Sequence, residues 1–135
     1  MKASTYCFRT GPLFAIAGMA MGIAMAASQD HSVMPAHAHL NLLGWVSLFL
    51  FGIYYKFNPA IDASRAALIQ AGAWSVGTVV LTIGVAAVHM GYEAGDPVAA
   101  VGSLIILAGM IHFAVLVFRA APLDSPAPAV LTPAE

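Results

Sequence analysis

Residues 35–57 read PAHAHLNLLGWVSLFLFGIYYKF: a proline, two histidines and an asparagine within two turns, then an apolar run with no charge before Lys56. A helix rises about 1.5 Å per residue, so roughly 20 apolar residues cross a hydrocarbon core of about 30 Å. This stretch is long enough to span a membrane. Pro35 suits the first turn of its helix, and Asn58-Pro59 marks its end. The imidazoles of His37 and His39 therefore stand at the head of a membrane helix, where polar ionisable groups are costly and point to function.

Outward from this segment the same grammar repeats. The chain has 135 residues, 61% of them hydrophobic and only 8% charged. Such a composition is foreign to soluble globular domains and leaves room for four crossings in one bundle. Thr10-Gly-Pro12 opens a first helix of about residues 12–28, and Asp62 or Ser64 caps a third of about 64–90. Asp96-Pro97 opens a fourth of about 97–120. Gly91 follows the third helix, where glycine suits a helix C-terminus. Residues 1–121 thus form a single four-transmembrane-helix bundle of an all-α membrane protein. Residues 122–135, PLDSPAPAVLTPAE, read as a disordered proline-rich tail. The start MKASTYCFRT, with small residues at Ala26-Ala27-Ser28, also fits a secretory signal peptide. Its removal would leave the polarity of the other three helices unchanged.

Lys2, Arg9, Lys56, Arg65 and Arg119 all fall on one side of this scheme, whereas the opposite loops hold Asp30, His31, Glu93 and Asp96. By the positive-inside rule both termini are expected in the cytoplasm of a bacterial-type inner (plasma) membrane. A net charge of -1 gives no footprint for nucleic acid, and the lone Cys7 provides neither an intrachain disulfide nor a cysteine cage.

On this topology four histidines converge on the outer face. His37 and His39 lie about 3 and 6 Å along their helix from Pro35, and His89 ends the third helix near the same level, within about one turn. His31 is in the adjoining loop and reads as an interfacial residue. His112 lies about 22 Å inward from Pro97 and is expected to take no part in an outer site. Residues two apart point about 200° away from each other on an ideal helix, so His37 and His39 share a ligand only where the first turn is distorted. Asn41, one turn below His37, is placed to steady its spare ring nitrogen through water or to bond a partner helix. Trp45 either lines a ring-shaped cofactor or packs on a neighbouring helix. Met34 and Met90 add thioethers at the same end, and Met25 lies near it, although Met19, Met21 and Met25 read first as core filling. Gly18-Met-Ala-Met-Gly22 is a small-xxx-small pattern for close helix contact, within the bundle or between copies. Tyr54, Tyr55 and Lys56 form an aromatic and basic anchor at the inner boundary.

The segment HAHLNLLGWVSLFLFGIYY resembles the second membrane helix of subunit I in the heme-copper oxidase superfamily, which includes the nitric oxide reductases. In that helix a histidine near the outer surface is an axial ligand of the low-spin heme. It is often written His-Gly-Val-Leu-Asn or His-Thr-Asn, with paired tyrosines further on in reductase-like members. Here His37 precedes Asn41 by four positions and Tyr54 by seventeen, so the resemblance favours His37 as ligand. His39 departs from the family pattern and keeps the choice open. The likeness covers residues 12–57; this chain has no room for the many further helices and copper-binding histidines of the family's catalytic subunit. It implies a relative of that subunit, not an oxidase by itself. The family also holds heme propionates with outer-side arginines, which are missing here, and that favours a bare metal ion.

Three functions follow as expectations. The first is a small heme b protein, with His37 or His39 and His89 as axial ligands, in electron transfer or heme handling. The second is a copper-binding accessory protein using His37, His39, His89 and Met34 or Met90. The third is a cofactor-free subunit of a larger respiratory membrane complex. Glycine-rich faces on short helices also suggest a homo-oligomer.

Overall fold

Helices this uniformly apolar have no polar face to direct them, so the seams between them are set by side-chain size: backbones approach where glycine and alanine recur. In the computed structural model, which describes residues 1–119, this rule builds the whole bundle. The elements are α1 (Ala3–Ser28), α2 (Met34–Phe57), a single turn α3 (Pro59–Asp62), α4 (Arg65–His89) and α5 (Gly95–Arg119). The four long helices are each apolar and long enough to cross a membrane. Large apolar side chains such as Leu13, Ile23, Leu50, Ile69, Ile83 and Leu104 face outward, as a lipid environment requires. These are the dimensions and surface of a multi-pass membrane protein.

The tightest seam joins α4 to α5. Gly77 and Gly84 on α4, and Gly95, Gly102 and Gly109 on α5, each series spaced by seven residues, lie against the facing helix. A methyl at Gly102 would stand 2.5 Å from the Leu81 amide nitrogen, and one at Gly95 2.5 Å from that of Val88. One at Gly84 would overlap the Ala99 backbone. Nothing larger than hydrogen fits there. A second seam joins α1 to α2, where Phe14 fills the space that a side chain at Gly44 would need, and Phe8 does the same at Gly52. The expected Gly18–Gly22 contact belongs to this seam, inside the bundle.

α4 is the central helix: 44% of its most apolar stretch is buried, against 11% for α5. Its Trp74 packs edge-on against Phe51 of α2 with ring centroids 4.9 Å apart, and Phe51 in turn lies 4.3 Å from Phe113 of α5. Buried Gln70 ties three helices together: it accepts from the Tyr55 hydroxyl at 2.7 Å and donates to the Gly109 carbonyl at 3.2 Å. All its polar work is done inside the protein, as burial demands.

The helix boundaries correct one expectation and bear out others. α1 begins at Ala3, not near Pro12, and Pro12 sits within it. The start is set by a distant residue: Asp62, 2% exposed, accepts the Ser4 amide at 2.7 Å and the Ser4 hydroxyl at 2.8 Å. A carboxylate at an unsatisfied helix N-terminus serves as a cap, here supplied from across the fold. Ser64, not Asp62, caps α4 by accepting the Ala67 amide. Gly91 ends that helix with φ +83°, and the bonds from Gly91 to Val88 and from Tyr92 to Ala87 close a Schellman turn. The expected tail at 122–135, like the last residue of the expected fourth helix, lies outside the described residues.

Candidate functional site

The histidine end of the bundle is built on a π-helical segment, Leu40–Ser47, within α2. π segments re-aim side chains and loosen carbonyls from the helical ladder, and they recur at functional sites. Two carbonyls in this one take side-chain donors: the Trp74 indole N–H bonds Leu43 O at 2.9 Å, and the Ser47 hydroxyl bonds Leu42 O at 2.9 Å. The π segment is therefore pinned to α4 by Trp74 at Leu43.

His37, half-buried, points into the α1–α2 seam, where its Nδ1 donates to the Gly18 carbonyl at 2.9 Å. A carbonyl only accepts, so Nδ1 carries a proton, and in the neutral ring Nε2 keeps its lone pair. Asn41 donates to the His37 carbonyl at 2.9 Å, and the same amide nitrogen stands 3.5 Å from His37 Nε2. The expected Asn41 partnership is thus direct, with no intervening water needed. The two small residues of α1 are the seats for this pair. A methyl at Gly18 would lie 2.5 Å from Asn41 Oδ1, and one at Gly22 3.1 Å from His37 Cε1.

His39 and His89 show the same protonation logic by a different route. Each Nδ1 donates to a carbonyl four residues back in its own helix, His39 to Pro35 O at 2.7 Å and His89 to Val85 O at 2.9 Å. All three imidazoles therefore hold Nδ1–H on a backbone carbonyl and present Nε2 as an acceptor. His39 is half-buried and His89 exposed. Because Met90 shares a cleft with Val33, His89 lies near the level of the first turn of α2. His37 and His39 then stand about 6 and 9 Å further along α2.

His89 continues a face of α4 that runs through Trp74, Thr78, Thr82 and Val85, at spacings of three and four. Thr78 satisfies its hydroxyl on the Trp74 carbonyl at 2.9 Å. Thr82, 6% exposed, leaves its hydroxyl without a protein partner among the described residues. An orphaned buried hydroxyl is uncommon.

The other expected site residues are placed elsewhere. Trp45 is 44% exposed and forms an outward apolar groove with Val46, Phe49 and Leu50, so it does not line the interior. Its ring edge lies beside Gly11 of α1, and the buried indole is that of Trp74. Met34 is exposed at the start of α2, whereas Met90 faces a cleft between α1, α4 and the loop before α2. His112, half-buried, lies three residues beyond Gly109 on α5, toward the Asp62 end and far from the other imidazoles. His31 is exposed in the loop, beside Asp30. The Ser32 amide and hydroxyl hold the Asp30 carboxyl below its ordinary range. Among the described residues no three His, Cys, Asp or Glu side chains stand close enough together to hold a metal ion.

Thr82, Gln70 and Trp74 carry no signal in the sequence as site or framework residues, and Asp62 reads there only as a possible cap of the third helix. For the glycine seam a signal was present, the seven-residue spacing at 77, 84 and at 95, 102, 109. Compared with family models, with curated proteins and with solved structures, the chain finds no match.

Proposed function

We propose that this chain is a small heme-binding membrane protein, engaged in electron transfer or heme handling. The single observation that carries the reading is the shared tautomer: His37, His39 and His89 all tie Nδ1–H to a backbone carbonyl. Histidines that ligate a metal commonly fix their second nitrogen in this way, which orients the ring and raises the basicity of the ligating one. The donor set fits a heme iron, which takes neutral imidazole nitrogen as axial ligand. Bound there, heme b would supply one-electron chemistry at iron.

Within this proposal the roles of the two helix 2 histidines separate. Asn41 stands beside His37 Nε2, and the pair closes the α1–α2 seam, so His37 acts as a strut. His39 and His89 hold their Nε2 lone pairs clear of such contacts and are the ligands we assign. Thr82 adds a free hydroxyl on the α4 face that His89 continues. The resemblance of residues 12–57 to the heme-copper oxidase helix supports the cofactor class, although it favours His37. On the charge asymmetry of the loops we place both termini in the cytoplasm and the histidine end outside a bacterial-type membrane.

The test is the visible spectrum of the protein purified from heme-supplemented cells. A Soret band with sharp reduced α and β bands is expected. His39→Ala and His89→Ala should abolish it, while His37→Ala, provided it stays helical, should keep it. A colourless wild-type protein after heme supplementation refutes the reading.

A further inference from the structure

Met21 and Met25 stand one turn apart on α1, so both side chains lie on one face. With Met90, at the end of α4, they line a single cleft of about 350 Å³ at the histidine end. Met25 is 7% exposed at its floor, and Met90 is 57% exposed. Asp30 and Ser32 complete the polar side of the cleft.

We propose that this cleft binds a soft monovalent cation, Cu(I) or its redox-silent analogue Ag(I), through the thioethers of Met21, Met25 and Met90. This site is separate from the imidazoles and does not rest on the heme reading, because none of the histidines lines the cleft. The ligand class follows from the donors. Thioether sulfur is neutral, polarisable and weakly basic, so it discriminates against hard and divalent ions and favours Cu(I). Neutral donors leave the cation's charge uncompensated, and Asp30 supplies a carboxylate in the same cleft.

The experiment uses the full chain in detergent micelles, with Cu(I) presented in complex with a chromogenic chelator under reducing, oxygen-free conditions. The wild-type protein should withdraw one equivalent of Cu(I), and Ag(I) should compete for it. Met25→Leu and Met90→Leu should each weaken binding at least about tenfold, the loss that even an outer-shell partner of a metal site brings. Leucine is close in volume, and Met90 is exposed, so Met90→Leu keeps the fold and decides the matter where Met25→Leu does not. Joint replacement of His39 and His89 should leave Cu(I) uptake unchanged. Failure of the wild type to withdraw Cu(I), full retention by Met90→Leu, or loss of uptake in the histidine variant would each overturn the proposal.

Discussion

Gly102→Ala tests the reasoning about how the bundle is held together. The added methyl would stand 2.5 Å from the Leu81 nitrogen and 2.6 Å from its Cα, where ordinary contact begins at 3.4 Å. Backbone atoms cannot rotate aside, so α4 and α5 must part by about 1 Å, a gap that forfeits a quarter to a half of each dispersion contact along the seam. Overpacking of this kind costs about 1–3 kcal/mol. The internal reference is Gly72→Ala on α4, where a methyl meets nothing within 4 Å. That change should only gain helix propensity, up to about 1 kcal/mol, a gain that Gly102→Ala shares. The two variants should therefore differ by about 1–3 kcal/mol, roughly five- to 150-fold in the unfolding equilibrium. Unfolding in mixed micelles by a denaturing detergent, followed by circular dichroism and by the fluorescence of buried Trp74, measures the difference. If Gly102→Ala proves as stable as Gly72→Ala, close backbone packing does not hold α4 to α5.

Four other outcomes are expected. Trp74→Phe should destabilise by about 1–3 kcal/mol, because it leaves the Leu43 carbonyl of the π segment without its indole donor; the same unfolding titration reads it. Gln70→Leu should cost about as much by orphaning the Tyr55 hydroxyl and the Gly109 carbonyl, and combining it with Tyr55→Phe should recover part of that loss in a double-mutant cycle. Asp62→Ala should cost about 0.5–2 kcal/mol, the range for a lost N-cap, and hydrogen exchange should show the amides around Ser4 losing protection while those near Gly22 keep theirs. Reporter fusions at residue 135 and near Asp96 should give cytoplasmic and external signals respectively; the reverse pattern would invert the assignment of the histidine end to the outside.

Length and apolarity along the chain were enough to find the four long helices, because crossing a hydrocarbon core makes a demand on each segment separately: about 20 residues without unpaired charge. The stops at Asn58-Pro59 and Gly91 were legible for the same reason, since proline and a left-handed glycine act on the backbone locally. The position of His37 one turn above Asn41 also came from the sequence, and their contact is a local consequence of helical spacing. What the sequence did not disclose depended on which helix lies beside which. The start of α1 at Ala3 rests on Asp62, fifty-eight residues from Ser4, and no local signal outweighs the apparent start at Thr10-Gly-Pro12. Trp45 and Trp74 are alike in sequence, yet their places in the bundle expose one and bury the other. His37 became a strut because Gly18 offers it a carbonyl across the seam, whereas His39 and His89 turned back on their own helices. In a bundle without a polar face, only the tertiary packing of small residues decides the neighbours, and with them which polar groups are satisfied and which remain free.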